Sequence, residues 1–311
     1  MSKLLKKALL VGINYTSIPG LTLHGCINDV KNMKQNLITN YGYAESDIIV
    51  LSDDQTNPAF KPTAKNIIGY LLALINVSSK CSEIWFHYSG HGSQIKDANR
   101  DEASGYDSVI VPVDFQSVGV IVDDLILQII KNCQCTMYML FDSCNSGTVC
   151  DLQWSFEYAN NNVFKKTQNN SIVVNGKQIF SFSGSKDTQT SADVYDPATG
   201  QYYGACTNAF LAVLKANNYN ASIMKIYSDL CTFLSNRGYS QKPILSSSSS
   251  NPTITMKKTI AAKNLLMAES STVDRAAPSA SKGATVISID HNIAAAKPKP
   301  NKHPLSKLIM H

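Results

Sequence analysis

The strongest constraint on the fold is an alternation of two hydrophobic patterns along the chain. Short apolar runs rich in β-branched residues are typical of buried strands, and the longer segments between them have the spacing of amphipathic helices. This alternation predicts an α/β fold with a mostly parallel central sheet flanked by helices. The predicted strands are 7–14, 47–53, 83–88, 108–113, 136–141, 178–183 and 243–247. The predicted helices are 28–41, 63–77, 122–133, 207–216 and 223–237.

Changes in composition divide the 311 residues into a domain and a tail. We predict one α/β domain over residues 1–250, close to the largest size of a single core. Within it, residues 151–175 are rich in asparagine and predict a polar loop between a larger and a smaller portion. Residues 251–311 hold nine Lys or Arg against three Asp or Glu, which predicts a basic, disordered tail.

The charge and cysteine patterns exclude several classes of protein. The first 250 residues are nearly neutral, so the domain lacks the basic face that nucleic-acid binding requires. No apolar run approaches the ~18 residues of a membrane span. The eight cysteines are scattered without the spacing of a disulfide scaffold or a zinc site, and we therefore expect a reducing, cytoplasmic location.

Two predicted strands end in residues that can carry chemistry. The first runs from Trp85 into a histidine, His91, that lies between two glycines, and the second runs from Tyr138 through Asp142 to Cys144. In open α/β sheets, reactive groups collect where strands end at their carboxyl edge. A Cys144 thiolate would attack a peptide carbonyl, His91 would pass a proton to the departing amine, and the N–H groups of Gly92 and Cys144 would stabilise the oxyanion.

Each residue also has an ordinary structural interpretation. A single cysteine at a strand end is most often a small buried hydrophobe, and a single histidine is most often a hydrogen-bonded structural residue. Of the three histidines in the first 250 residues, only His91 occupies a glycine-flanked strand exit. His87, four residues earlier, is expected to pack against the sheet.

Several motifs in a fixed order resemble the type I metacaspases. They are Gly12-Ile13-Asn14-Tyr15, Gly25-Cys26-Ile27-Asn28-Asp29, His87-Tyr88-Ser89-Gly90-His91-Gly92-Ser93-Gln94, Gly105-Tyr106-Asp107, Pro112-Val113-Asp114-Phe115, Val122-Asp123-Asp124, Asp142-Ser143-Cys144-Asn145-Ser146-Gly147, Ser183-Gly184-Ser185 with Asp187, and Gln189-Thr190-Ser191-Ala192-Asp193. The resemblance covers roughly residues 7–249 and implies a caspase-like fold and a cysteine endopeptidase. The sequence differs from the usual pattern of the family in two ways. Asn145 stands where the family commonly has histidine, and we expect no Pro/Gln-rich or zinc-finger pro-segment before the first strand.

The resemblance also implies a substrate pocket for Arg or Lys. Asp29 and Asp142 would bind the cation, with Cys26 and Ser89 on the pocket walls. A pocket for a cation requires buried carboxylate, and Asp142 lies two residues before Cys144, which agrees with this role. The alternative is that Asp29 only caps the helix that follows it.

Calcium dependence follows from the same resemblance. The positions that match calcium-binding aspartates are Asp107, Asp123, Asp124 and Asp151. Calcium is a hard cation that takes oxygen ligands, and it would relieve the repulsion between gathered carboxylates. The alternative is that Asp123 or Asp124 caps a helix at Leu125 and that Asp151 is a solvated loop residue.

The remaining expectations concern processing and partners. Lys165 and Lys166 form a dibasic site in the predicted polar loop, which predicts self-cleavage there because the loop is accessible. The resemblance favours a monomer acting on protein or peptide substrates with Arg or Lys at the cleavage site. Two rival functions are a catalytically silent caspase-like scaffold and a doubly wound nucleotide-binding domain. No G-x-G-x-x-G or Walker-type loop follows the first predicted strand, which counts against the second.

Overall fold

The computed structural model describes residues 4–96, 105–143, 152–160, 163–169, 174, 178–184, 193–197, 199–239 and 241–259. The helices in this part of the chain are α1 (Cys26–Tyr41), α2 (Ala64–Asn76), α3 (Phe115–Val118), α4 (Asp123–Ile130), α5 (Ala205–Ala216) and α6 (Ile223–Asn236). The strands are β1 (Leu5–Gly12), β2 (Ile48–Ser52), β3 (Cys81–Ser89), β4 (Gly92–Lys96), β5 (Tyr106–Ile110), β6 (Ile121–Val122), β7 (Thr136–Asp142), β8 (Trp154–Asn160), β9 (Val163–Gln168), β10 (Ile179–Ser183), β11 (Asp193–Asp196), β12 (Gln201–Gly204), β13 (Ala221–Ser222), β14 (Ile244–Ser247) and β15 (Thr255–Met256).

Eight strands form one mixed sheet in the order β2-β1-β3-β7-β10-β14-β8-β9. The four pairings from β2 to β10 are parallel, and the three pairings from β10 to β9 are antiparallel. Helices cover both faces of the sheet, as the alternating residues of β1 show. Leu9 and Val11 pack with α2 and α4 on one face, and Ala8 and Leu10 pack with α1, α5 and α6 on the other. The predicted α/β class and mostly parallel sheet are confirmed.

Helix α1 approaches the end of β1 very closely. A Cβ on Gly12 would lie 2.6 Å from the carbonyl oxygen of Cys26 and 2.9 Å from the side chain of Val30. Only glycine at this position lets the helix begin directly against the strand. The amino end of α1 is therefore held at the carboxyl edge of the sheet, beside the end of β3.

Three small sheets surround the large one. Strands β4, β5 and β6 form an antiparallel ribbon that starts immediately after β3, with Gly92 opposite Ile110. Strands β11 and β12 form a hairpin that leads into α5, and β13 pairs with β15. The first two of these sheets lie at the carboxyl edge of the large sheet, where the candidate site is located.

The prediction of a polar loop over residues 151–175 is wrong for its central part. Strands β8 and β9 form a hairpin that extends the large sheet. Phe156 is buried, and the Phe164 ring stacks on Tyr227 of α6 at 5.7 Å between centroids. Asparagines occur at both ends of β9 and dominate the local composition, which hides the alternating Trp154, Phe156 and Tyr158 of β8.

The predicted domain boundary at residue 250 is also wrong. Met256 of β15 is buried, and the N–H of Thr259 donates to the carbonyl of Asn40 at 2.8 Å. The folded domain therefore continues at least to Thr259, and the rest of the predicted tail, residues 260–311, lies outside the described residues. Within the described ranges, no helix has both the length and the apolar composition that a membrane crossing requires.

Candidate active site

The ends of β3 and β7 are paired in a register that aligns the two reactive positions. Ser89 is opposite Asp142, and the N–H of Gly90 donates to the carbonyl of Asp142 at 3.2 Å. In the sequence, His91 and Cys144 each follow this last pair by two residues, and the strands that lead to them, β3 and β7, are direct neighbours in the sheet. Cys144 itself lies outside the described residues, as do Asn145 and Asp151.

His91 is half-buried and is held through its ring. Its Nε2 lies 2.8 Å from the carbonyl oxygen of Leu21. A carbonyl only accepts hydrogen bonds, so Nε2 carries the proton and Nδ1 is the basic nitrogen of the neutral imidazole. The Tyr15 ring contacts the imidazole at 4.6 Å between centroids. The ring is therefore fixed in one tautomer and one orientation, as a catalytic proton carrier requires.

Two buried carboxylates lie next to the end of β3, the strand that leads to His91. Asp29 and Asp142 are each 1% exposed. Asp29 Oδ2 accepts a hydrogen bond from the Ser89 hydroxyl at 2.7 Å, and Asp142 Oδ2 accepts one from the N–H of Thr207 at 2.6 Å. Both acids are thus fixed in place at the edge of the sheet where Cys144 follows.

Gly204 lies between the two carboxylates. Its N–H donates to both oxygens of Asp29, at 3.0 and 3.1 Å. A Cβ on Gly204 would stand 2.6 Å from Asp29 Oδ2 and 2.8 Å from Asp142 Cγ, and closer still to Asp142 Oδ2. The two acids therefore both pack against residue 204 at distances that only a residue without a side chain allows.

The alternative that Asp29 merely caps a helix is wrong. Helix α1 begins at Cys26 with Gly25 as its N-cap, and Asp29 lies within the first turn with its own N–H bonded to the Gly25 carbonyl. Its carboxylate instead reaches Ser89 of β3 and Gly204 of β12. Asp29 connects three elements of the site.

Two buried thiols belong to the helices that carry or adjoin these acids, α1 and α5. Cys26, a predicted wall residue, is 3% exposed at the start of α1. Cys206 is fully buried, and burial raises the pKa of its thiol well above the usual value, with further contributions from Asp142 and Asp29. The six cysteines in the described part of the chain, Cys26, Cys81, Cys133, Cys135, Cys206 and Cys231, form no disulfide.

His87 supports the pocket from the interior of β3. It is fully buried, as the sequence predicts, and its Nε2 lies 3.1 Å from the Thr207 hydroxyl. Burial lowers the pKa of His87 to about 3, so its imidazole is neutral near pH 7. Since Thr207 donates its N–H to Asp142, His87 helps to fix the residue that holds this acid.

The predicted calcium-binding aspartates are only partly brought together. Asp107 and Asp123 are buried, and Asp123 accepts hydrogen bonds from the N–H groups of Ser108 and Asp124, both at 3.0 Å. Asp123 is the first residue of α4 and joins it to β5, so it does more than cap a helix. Among the described residues, no three His, Cys, Asp or Glu side chains converge to hold a metal ion, and Asp151 lies outside this set.

Lys165 and Lys166 do not lie in a polar loop, contrary to the prediction on which self-cleavage there is based. Both residues belong to β9, where they are opposite Glu157 and Phe156 of β8. The Lys165 ammonium lies 3.7 Å from the Glu157 carboxylate, and the Lys166 ammonium lies 4.5 Å from the centre of the Trp154 ring. Their peptide bonds lie in a paired strand and not in an accessible loop.

Sequence reasoning missed the residues that complete the site from a distance. Gly204 and Thr207 follow Asp29 by more than 170 residues, and no local pattern connects them. The Leu21 carbonyl that binds His91 is a backbone group, which every residue has, so the sequence cannot single it out.

Solved structures agree with this architecture. A protein of Geobacter sulfurreducens of known crystal structure matches with a TM-score of 0.55 and 22% identity, covering 79% of this chain and 94% of that one. The structure of pro-sf-caspase-1 matches with a TM-score of 0.50 and 11% identity, covering 80% and 94%. Both matches concern the fold alone, and the expected caspase-like fold is confirmed.

Sequence relatives identify the family. A model described as "Metacaspase, peptidase C14 domain" matches residues 6–153. Metacaspase-1 of Ajellomyces capsulatus is 36% identical, and the match covers 78% of this chain and 80% of that protein. Metacaspase-1A of Neurospora crassa and Metacaspase-1 of Sclerotinia sclerotiorum are 35% and 37% identical, and the match spans 63% and 66% of their lengths. The chain therefore belongs to the metacaspase family.

Proposed function

We propose that this chain is a cysteine endopeptidase that cleaves peptide bonds after Arg or Lys. The observation that carries the proposal is the pairing of Ser89 with Asp142, which brings the ends of the two strands that precede His91 and Cys144, together with two buried carboxylates, to one edge of the sheet. A cationic side chain is the substrate group that two convergent carboxylates favour. Charge complementarity thus supports the Arg/Lys preference.

The chain's own residues supply the steps of acyl transfer. The Cys144 thiol passes its proton to Nδ1 of His91, the resulting thiolate attacks the substrate carbonyl carbon, and the N–H groups of Gly92 and Cys144 stabilise the oxyanion. His91 then delivers a proton to the departing amine and afterwards takes one from the water that hydrolyses the thioester. The Leu21 carbonyl keeps the ring in the tautomer with a basic Nδ1.

A panel of fluorogenic peptides ending in Arg, Lys or Asp tests this function. We expect hydrolysis after Arg and Lys, and loss of it in Cys144→Ala and nearly the same loss in His91→Ala, because nucleophile and proton carrier act together. Asp29→Ala and Asp142→Ala should fold but lose Arg and Lys cleavage by orders of magnitude. Turnover by purified Cys144→Ala protein would refute the nucleophile, and cleavage after Asp would refute the pocket. A folded wild type without turnover would support the silent scaffold.

We further propose that calcium activates the enzyme. Asp107, Asp123, Asp124 and Asp151 would hold it, since carboxylates are the oxygen ligands that calcium prefers. The burial of Asp107 and Asp123 supports the assignment, because buried acids gain from a neutralising cation. Calcium would supply charge neutralisation at the start of β5, and none of the bond-making steps uses it.

The remaining parts of the proposal concern partners and location. We propose protein or peptide substrates, a monomer and a cytoplasmic location. The outer strand β9 exposes Lys165 and Lys166, and charged residues on an edge strand oppose edge-to-edge pairing of two sheets. The free thiols of the described cysteines suit a reducing compartment.

A further inference from the structure

Two buried tyrosine hydroxyls contact the backbone of His91. The His91 N–H donates to the Tyr15 hydroxyl at 3.1 Å, and the Tyr88 hydroxyl donates to the His91 carbonyl at 2.6 Å. Both tyrosines are fully buried. They come from different segments of the chain: Tyr15 lies in the loop after β1, and Tyr88 lies in β3. Both polar groups of the His91 backbone, its N–H and its carbonyl, are thus hydrogen-bonded to buried side chains.

The same hydroxyls also bind Val111, which follows β5. Tyr15 donates to the Val111 carbonyl at 2.5 Å, and Tyr88 accepts the Val111 N–H at 3.1 Å. Each hydroxyl has one proton, so each donates one of these bonds and accepts one. Burial raises the pKa of both phenols, and both therefore keep the proton that the network uses. The result is a closed ring of four hydrogen bonds between residues 91 and 111.

The sequence around His91 explains why its backbone needs these hydrogen bonds to keep one conformation. Gly90 and Gly92 flank the histidine, and glycine leaves the backbone permissive. A Cβ on Gly90 would lie 2.7 Å from the Tyr88 hydroxyl and 3.0 Å from the Tyr15 hydroxyl, so the close packing of the two phenols requires this glycine. The hydrogen bonds from the two hydroxyls limit the backbone freedom that the flanking glycines would otherwise allow at His91.

We propose that Tyr15 and Tyr88 are positioning residues for His91, which hold its backbone so that the imidazole keeps its tautomer and its aim at the nucleophile. The inference rests on the proposed function of His91. Neither hydroxyl is exposed to substrate, so both act through the histidine. Small displacements of a catalytic group reduce turnover more than substrate binding, because binding uses other contacts.

The test compares three Tyr→Phe variants that each remove one buried hydroxyl. Tyr15→Phe and Tyr88→Phe alter the ring of bonds, whereas Tyr227→Phe is the matched control. Tyr227 is also fully buried, and its hydroxyl bonds the backbone of Phe156, Tyr158 and Pro243 at 2.6–3.0 Å away from the site. We expect similar losses in melting temperature in all three. In the first two alone, kcat should fall about 10- to 100-fold with KM nearly unchanged.

A spectroscopic measurement separates this inference from the proposed function. NMR of protein with labelled histidine nitrogens, assigned through His91→Ala, reports the ring tautomer without any substrate. We expect the Nε2–H tautomer in wild type and in Tyr227→Phe, and exchange between tautomers in Tyr15→Phe and Tyr88→Phe. If both site variants match Tyr227→Phe in kcat and in tautomer, the inference is overturned. If wild type has no turnover, the proposed function fails, and the tautomer comparison still decides the inference.

Discussion

Replacing Gly204 by alanine tests the two-carboxylate pocket directly. The new methyl group would stand 2.6 Å from Asp29 Oδ2, whereas ordinary contacts begin at 3.4 Å, so this oxygen would have to retreat by about 0.8 Å. Asp29 is tethered by Ser89 at 2.7 Å and Asp142 by Thr207 at 2.6 Å. Retreat therefore breaks or stretches hydrogen bonds to charged groups, each worth about 1.5–3 kcal/mol.

We expect kcat/KM for Arg and Lys peptides to fall about 100-fold in Gly204→Ala, which corresponds to about 2.7 kcal/mol. The methyl group would push both carboxylates away from the positions in which they would meet a substrate cation, and overpacking should also lower stability by about 1–3 kcal/mol. Steady-state hydrolysis and a thermal melt, measured on the same preparation, separate the two effects. Asp29→Asn removes the charge while keeping the shape, and should give a comparable loss of kcat/KM.

Gly69→Ala is the matched control. Gly69 lies inside α2, and nothing lies within 4 Å of a Cβ added there. We expect unchanged kinetics and a gain of about 0.5–1 kcal/mol, since alanine favours helix. A folded Gly204→Ala enzyme with wild-type kcat/KM on Arg peptides would refute the pocket geometry.

Three further predictions concern other parts of the domain. His87 has a folded pKa of about 3 against its ordinary 6.5, so the unfolded chain gains a proton first as pH falls below 6.5, and this costs about 1.4 kcal/mol of stability per pH unit. His87→Gln should therefore lose less stability than wild type between pH 7 and pH 5, and equal losses in denaturant melts would contradict the burial argument. Calcium should raise the peptidase rate of wild type but not of an Asp123→Ala, Asp124→Ala double variant, and equal rates in chelator and in calcium would reject the site. Mass spectrometry of fresh active enzyme should show the chain uncut after Lys165 and Lys166, because β9 is paired, and a dominant cut there would show that the hairpin opens.

The elements that position the site could be predicted from sequence because their patterns are local. The runs that end near Ser89 and Asp142 are apolar over strand length, and their glycine- and cysteine-bearing exits are contiguous with them. The hairpin of β8 and β9 could not be predicted in the same way, since its Phe156 and Phe164 are separated by polar residues and a cluster of asparagines.

The contacts that complete the pocket could not be predicted from the sequence. The Asp29 carboxylate meets Gly204, and Asp142 meets Thr207, only after α5 packs beside β7 and the β11–β12 hairpin packs on α1. Such contacts between distant parts of the chain depend on tertiary packing, which no local pattern expresses. Likewise, Tyr15 and Tyr88 are visible in the sequence as motif residues, but their shared partner Val111 is visible only in the structure.

The order of strands determines what a break in the chain would do. Strands β10 and β14 come from the later part of the sequence, yet they lie between β7 and β8 of the earlier part. A cut anywhere within residues 170–177 would leave two interlocked fragments, because separating them requires opening the β7–β10 and β14–β8 pairings together. One fragment would carry Asp29 and Asp142, and the other would carry Gly204 and Thr207. A nicked molecule should therefore give two bands on a denaturing gel and still behave in solution as one particle with its pocket assembled.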